Sequence, residues 1–542
     1  MKSNPTLVYL IGILLLTSCG KEESSSSQDP STLFTLLDTS KTGIDFENTL
    51  VETEDENVMT YEYIYNGGGV AVGDINNDGL ADVYLAGNQV KNKLFLNKGG
   101  FRFEDITTLA AITEKDGWKT GTAMADVNGD GLLDIYVCYS GNAPQEGFTQ
   151  PVIRDYKPRA NQLFINQGVG KDSIPVFKDQ AKEYGLDAIG TFTTQVYFLD
   201  YDLDGDLDVF LLNHANKFYN IFFNVTMLRS KRHPYYGNKL YENRDNKFVE
   251  VSEEAGINGT GINFGLSASI SDLNKDGYPD IFVTNDYSEQ DFCYLNNGDG
   301  TFTETSKKSF EHFSKYSMGS DVADINNDSN PDLFVVDMLP EDNYRQKVLK
   351  GPDEYNKSKR LIDSGYHPQY MHNNLHLSKG LDPQGDLRFT EVAQLSGISN
   401  TDWSWAPLVA DYDNDGFKDI FITNGYLRDY SNLDFNNYTV HEANARAQAT
   451  GEKLDMGALI SKIPSTKVSN YIYKNVDGLL FENKTKAWGL DKKTVSNAAA
   501  YADLDNDGDL DLIINNLNDP VLVYENRENE QLENNFLSLT LK

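Results

Sequence analysis

Cysteine is scarce in this chain. Its 542 residues contain three, Cys19, Cys138 and Cys293, too few for a disulfide framework. Cys138 and Cys293 fall in strand-like stretches and read as buried free thiols, with a single disulfide between them left open. Positive charge is short as well: 47 Lys and Arg stand against 82 Asp and Glu, for a formal net charge of −35. No basic stripe exists to meet phosphates, so nucleic acid is excluded as a partner, while other ligands are not. The apolar run at Leu7–Leu16 is too short for an ordinary spanning helix. Familiar catalytic signatures are absent too: no Gly-x-Ser-x-Gly elbow, no P-loop, no His-Glu-x-x-His.

What the chain has instead is a nine-residue stretch, clearest as DLDNDGDLD from Asp503 to Asp511. Acidic or amide side chains at positions 1, 3, 5 and 9 converge on one point if the backbone curls tightly, and glycine at position 6 permits the positive φ of such a curl. Hard oxygens closing on a small centre suit calcium, which takes roughly six to eight of them. The first three copies offer Asp74, Asn76, Asp78 and Asp82, then Asp126, Asn128, Asp130 and Asp134, then Asp200, Asp202, Asp204 and Asp208. The fourth and fifth offer Asp272, Asn274, Asp276 and Asp280, and Asp324, Asn326, Asp328 and Asp332. The last two offer Asp411, Asp413, Asp415 and Asp419, and Asp503, Asp505, Asp507 and Asp511. One copy alone would read as an Asp/Asn/Gly-rich turn that binds nothing. Seven copies with the same positions filled argue for a metal. Seven bound calcium ions would reduce the net charge to about −21.

The loop is not an EF-hand, which needs a bidentate Glu at position 12 between two helices. Position 12 is here Leu85, Val137, Leu211, Val283, Val335, Ile422 and Ile514. Each lies in a short apolar run that reads as a strand buried on both faces, so each acidic loop joins two strands.

Two further motifs keep step with the loop. One runs from Phe to Gly-Ile/Leu, as in Phe177–Leu186, Phe248–Ile257, Phe389–Ile398 and Phe481–Leu490, and for six repeats its Phe precedes the next loop by 22 to 24 residues. The other follows each loop, as in NKLFLN from Asn92 and NYIYKN from Asn470. Before each loop lies a stretch of small residues, such as Gly67-Gly68-Gly69 or Ala498-Ala499-Ala500. Each unit then holds four antiparallel strands, A to D, with the acidic loop between A and B. Seven such units predict an all-β fold, a seven-bladed β-propeller of four-stranded blades, with small residues where the inner strands crowd the axis. The seventh unit lacks its Phe strand, while a spare one, Phe34–Ile44, precedes the first loop. The N-terminal strand is therefore expected to complete blade 7 and protect the edges.

At this point the sequence resembles the FG-GAP/VCBS-repeat family, relatives of the integrin α-subunit propeller and of bacterial proteins similar to cartilage acidic protein, over about residues 31–526. The resemblance implies calcium held by the side chains at positions 1, 3, 5 and 9 and the carbonyl at 7. Loop 5 departs, because Ser329 replaces glycine, and its site is expected to be weak or empty. Many relatives continue into an ASPIC/UnbV-type domain. Residues 527–542 resemble the start of one, Asn534–Leu541 its first strand, as if the chain were a fragment of a longer protein.

Residues 1–18 have the outline of a signal peptide, and Leu16-Thr17-Ser18-Cys19 resembles a bacterial lipobox. That resemblance implies lipid on Cys19, a tether over 19–30 and anchoring in the outer membrane of a Gram-negative cell, at the cell surface or the periplasmic face.

Between strands B and C four repeats are long: Ser140–Ala160, Asn213–Gly237, Asp337–His372 and Asn424–Ser469. Strand alternation puts all four insertions on the face opposite the acidic loops, the last two partly helical. They carry Tyr344, Tyr355, Tyr366, Tyr370, Tyr426, Tyr430 and Tyr438, suited to recognition or, equally, to packing the insertions down. His367, His372 and His376 invite a transition-metal reading, but nothing nearby in sequence completes a tetrahedral set. The expected function is a calcium-binding, lipid-anchored recognition or adhesion module for a glycan or protein. Two alternatives stand beside it: a polysaccharide lyase using Arg345, Lys347 or the His367–His376 cluster, and a structural spacer for a missing C-terminal domain.

Overall fold

A computed structural model describes residues 32–144, 146, 151–170, 173–217, 226–349, 355–532, 534 and 536. The expected signal peptide, the expected lipid site Cys19 and tether, and most of the expected C-terminal strand lie outside the described residues. Among those described, no helix is long and apolar enough to cross a membrane.

Seven four-stranded antiparallel sheets follow one another around a ring. Blade 1 is Val70–Gly73, Asp82–Leu85, Lys93–Asn97 and Phe103–Asp105. Blade 2 is Trp118–Ala125, Asp134–Ser140, Gln162–Val169 and Pro175–Asp179. Blade 3 is Thr193–Leu199, Asp208–Asn213, Lys239–Asn243 and Phe248–Glu250. Blade 4 is Gly265–Ser271, Asp280–Asn285, Phe292–Asn296 and Phe302–Glu304. Blade 5 is Ser320–Ala323, Asp332–Val335, Asn374–Leu381 and Leu387–Glu391. Blade 6 is Ser404–Ala410, Asp419–Asn424, Tyr471–Asn475 and Phe481–Asn483. Blade 7 is Ser496–Ala502, Asp511–Asn516 and Leu522–Asn526, completed by Phe34–Leu36.

That completion is the ring's clasp. Phe34 pairs with Asn526 and Leu36 with Tyr524. The Phe34 side chain is fully buried, edge-on to Tyr412 at 6.0 Å and tilted against Trp488 at 6.4 Å. Every strand B is buried along its whole length, because blades stack on both of its faces. The small residues of strand A answer a close approach. A Cβ on Gly319 would lie 2.0 Å from the Trp405 carbonyl oxygen of the next blade.

The Gly of the Phe motif takes the left-handed conformation after strand D, and at Gly185 (φ 84°) it ends a one-turn helix. Its bare Cα leans on the next blade, where a Cβ would sit 2.7 Å from the Phe248 carbonyl oxygen. Cys138 and Cys293 are buried free thiols, and no disulfide joins them.

Two features lie beyond the repeat. Residues 49–66, between the clasp strand and blade 1, reach across the ring. Tyr61 Oη sits 3.1 Å from Ser140 Oγ of blade 2. Tyr63 Oη donates to Asp286 Oδ2, next to blade 4, at 3.0 Å. Tyr430 Oη, in the blade 6 insertion, donates to Glu62 Oε1 at 2.6 Å. Within the ring of A strands a cavity of about 220 Å³ remains, lined by residues of all seven blades, Gly69 and Ser267 among them. The insertions of blades 5 and 6 carry helices Asn343–Leu349, Tyr355–Asp363, His441–Thr450 and Met456–Ile460, on the face opposite the acidic loops as expected.

Candidate metal loops and the insertion face

All seven acidic stretches take one conformation. The residue at position 4 has positive φ whatever its type: Asn77 at 58°, Leu203 at 60°, Lys275 at 63°. In loop 1, Asp74 accepts the Asp78 and Gly79 amides at 3.1 and 2.7 Å, which folds the curl around the position 1 carboxylate. Loop 5 keeps this curl without glycine. Ser329 adopts φ 69°, and its amide donates to Asp324 Oδ2 at 2.9 Å. Three carboxylates already lie within 4.8 Å of one another in the loops with Asp at position 3: Asp200, Asp202 and Asp208; Asp411, Asp413 and Asp419; Asp503, Asp505 and Asp507.

Position 9 does more than face the loop centre. Asp82 is fully buried. One of its oxygens accepts the Ile75 amide at 3.0 Å, the other the Asn97 amide of strand C at 2.7 Å. Asp134, Asp208, Asp280, Asp419 and Asp511 repeat the pattern with Asn166, Asn243, Asn296, Asn475 and Asn526, and Asp332 repeats it with Ser378. Burial pushes these carboxyls up: to about 7 for Asp82, Asp134, Asp208 and Asp280, about 6 for Asp332, about 8 for Asp419 and about 9 for Asp511. The fixed Asn of the strand C motif thereby gains its reason. Its amide nitrogen serves the Asp of its own blade, and its side chain bonds the preceding blade, as Asn166 Nδ2 does to the Ile75 carbonyl at 2.9 Å.

Sequence reasoning missed one residue here. Lys474, just before the Asn of blade 6, places its ammonium on Asp413 and, at 2.7 Å, on Asp415. The corresponding residues of blades 3 and 7 are Glu242 and Glu525.

On the opposite face the tyrosines divide. Tyr344, Tyr355, Tyr370 and Tyr438 are more than half exposed, while Tyr366 and Tyr426 are buried. Tyr426 stacks on Trp403 at 3.8 Å. A cavity of about 570 Å³ opens between the Tyr355–Asp363 helix and blades 4 and 5, with Tyr287, Tyr316, Tyr355, Tyr370, Lys315 and Lys357 in its wall. Of the residues weighed for lyase chemistry, His367 and His372 line this cavity, while Arg345, Lys347 and His376 do not. Arg345 is held by Asp402 at 2.6 Å and Asp429 at 3.3 Å. His376 is buried edge-on to Phe310, and His367 Nε2 bonds the Phe310 carbonyl at 3.0 Å.

Comparison with known proteins agrees with this architecture. A family model described as an FG-GAP-like repeat matches residues 62–137 and 272–335. Over 87 residues the chain is 38% identical to cartilage acidic protein 1 of Xenopus tropicalis, covering 16% of this chain and 13% of that protein. Over 373 residues it is 21% identical to cartilage acidic protein 1 of Mus musculus, covering 66% of this chain and 48% of that protein. The chain thus spans less than half the length of these relatives. Among solved structures, a lectin of Agrocybe aegerita described for specific recognition of non-reducing terminal N-acetylglucosamine aligns with a TM-score of 0.40 and 13% identity, over 81% of this chain and 87% of that one. The chain is a seven-bladed β-propeller with FG-GAP-like repeats at residues 62–137 and 272–335, distantly similar to cartilage acidic protein 1.

Proposed function

We propose that this propeller is a calcium-stabilised, non-catalytic recognition module, carried on the bacterial outer membrane by lipid at Cys19, that holds a glycan or protein on its insertion face. An FG-GAP propeller supports a recognition- or adhesion-type role in general. The observation that carries the finer reading is the 570 Å³ cavity with tyrosines in its wall. Its volume falls within the roughly 300–1,000 Å³ of ordinary ligand pockets. Aromatic faces and two lysines around an open cavity suit sugar rings bearing carboxylates, or a peptide strand. Arg345, bound by two carboxylates, supports the non-catalytic reading.

The donor chemistry of the loops fits calcium. Each curl gathers carboxylate or amide oxygens, and the position 9 oxygens keep a lone pair each after accepting one amide. Asp, Asn or both at positions 1, 3, 5 and 9 would hold the ion, and the ion would offset the repulsion among carboxylates. Loop 6 is the exception in this reading, because Lys474 already supplies a cation. Titration of soluble envelope polysaccharides and their oligomers against the protein tests the recognition role. Binding weakened by Tyr355→Ala and Tyr370→Ala supports it. Turnover of a uronic-acid polymer, or binding indifferent to both changes, refutes it.

A further inference from the structure

His312, His372 and Glu391 stand far apart in the sequence and meet at blade 5. His312 lies in the link that enters the blade, His372 closes its insertion, and Glu391 ends its strand D. Two backbone pairings bring them together. Phe313 and Ser314 pair in parallel with Gln369 and Tyr370, which sets His312 beside the run ending at His372. Glu391 pairs with His376, two residues into strand C. One ligand atom from each of the three lies within 4.8 Å of the others. His312 Nε2 is 3.8 Å from Glu391 Oε2, and the two imidazole centroids are 5.7 Å apart.

Each side chain is oriented so that one ligand atom stays free. His372 Nδ1 lies 2.7 Å from the Asn373 carbonyl oxygen and 3.2 Å from the Asn374 side-chain amide, whose Oδ1 is buried without a partner, so that turning this amide over makes it an acceptor as well. A carbonyl only accepts, so Nδ1 carries the proton and Nε2 bears the lone pair, the arrangement of a metal-binding histidine anchored by its backbone. Glu391 Oε1 accepts the Ala393 and Leu375 amides at 2.6 and 3.3 Å. That leaves Oε2 turned to His312. His312 Nε2 is buried with no hydrogen-bond partner, a costly state for a ring nitrogen unless something else occupies its lone pair.

We propose that His312, His372 and Glu391 form a binding site for a divalent transition ion of the zinc class, with a fourth coordination position open to the cavity that His372 lines. Two neutral imidazoles and one carboxylate are a borderline donor set, which selects zinc over the hard calcium ion of the acidic loops. Ligand bonds of about 2.0–2.1 Å in a tetrahedron put donor atoms roughly 3.4 Å apart. The His312–Glu391 pair is a few tenths of an ångström wider than that, and the His372 donor, within 4.8 Å of both, would move inward with them as the ion binds. The fourth ligand would be water or an anionic oxygen of whatever enters the cavity. The site lies on the face away from the acidic loops and stands whether or not the cavity binds a glycan.

The test uses the full chain in detergent with millimolar calcium, so that the acidic loops are saturated. Zinc is titrated calorimetrically, and cobalt is followed by its visible absorption. One zinc per chain at micromolar affinity or tighter is expected, with a four- or five-coordinate cobalt spectrum. His312→Ala and Glu391→Gln should each weaken zinc at least tenfold, and His367→Ala should leave it unchanged. His312 Nε2 makes no hydrogen bond that its loss would break, but its ring stands edge-on to Tyr370 at 5.1 Å, so His312→Gln, which fills more of that space, is measured beside it and should weaken zinc likewise. The proposal is overturned by the absence of saturable zinc binding in excess calcium. It is equally overturned by unchanged affinity in a His312→Ala chain of normal melting temperature.

Discussion

The buried position 9 aspartate allows a prediction whose sign changes with the solution. Consider Asp82→Asn. The change leaves one oxygen for the Ile75 and Asn97 amides, which now share two. Leaving one buried N–H unpaired costs about 1–3 kcal/mol. Against this, burial raises the Asp82 carboxyl to about 7. At 1.36 kcal/mol for each pKa unit above its usual 3.8, ionised Asp82 costs the calcium-free fold roughly 4 kcal/mol at pH 8. Because the folded pKa lies above the unfolded one, the stability gained from the bound proton is complete below pH 4 and lost between pH 4 and 7. In chelator at pH 8 the asparagine variant should therefore be as stable as wild type or more so, by about 1–3 kcal/mol. At pH 5 the wild-type carboxyl is protonated too, and the advantage vanishes. In calcium the order reverses, because the variant loses a charged ligand and with it the mass-action stabilisation of that loop. Denaturant midpoints in four conditions, two pH values with and without calcium, read all of this. A variant less stable than wild type in chelator at pH 8, by as much as in calcium, would refute the reasoning.

Three further outcomes are expected. Lys474→Met should free loop 6, and equilibrium dialysis should then count one more tightly bound calcium than in wild type; an unchanged count would show that the ammonium does not occupy the site. Phe34→Ala should cost about 3–5 kcal/mol and loosen the clasp, read as a lower melting temperature and faster amide exchange along Leu522–Asn526. Gly319→Ala drives a methyl onto the Trp405 carbonyl oxygen at 2.0 Å and should destabilise by about 1–3 kcal/mol or more. A variant melting as wild type would show that strand A has room to shift.

The sequence by itself determined the repeat, and the repeat determined most of the fold. Seven acidic stretches, 52 to 92 residues apart but each followed by a buried apolar run and six of them preceded at 22 to 24 residues by the Phe motif, leave few alternatives to seven blades. The missing Phe strand at one end and the spare one at the other identified the clasp, and strand alternation identified the insertion face. These are local patterns, repeated until chance is excluded, and alternation along a strand is a matter of counting.

Tertiary structure decided what depends on neighbours from other blades. Position 9 reads as one more acidic residue in the sequence, yet folding places it under the loop as a strut to strand C, because the Asn amide comes within 2.7 Å of Asp82. Ser329 departs from glycine in loop 5, and only the fold shows that the hydrogen bonds of Asp324 hold the curl at φ 69° all the same. Lys474 carries no signal in a strand motif until the loop that it neutralises folds over it. Tyr355 and Tyr426 look alike in the chain, and only packing makes one exposed and the other a stacking partner of Trp403. Among the histidines the sequence grouped by nearness, while the structure grouped by pairing, replacing His367 and His376 with His312 and Glu391 around His372. Periodicity fixes which face of a strand a residue occupies; which side chain it meets there depends on chain segments that the period does not see.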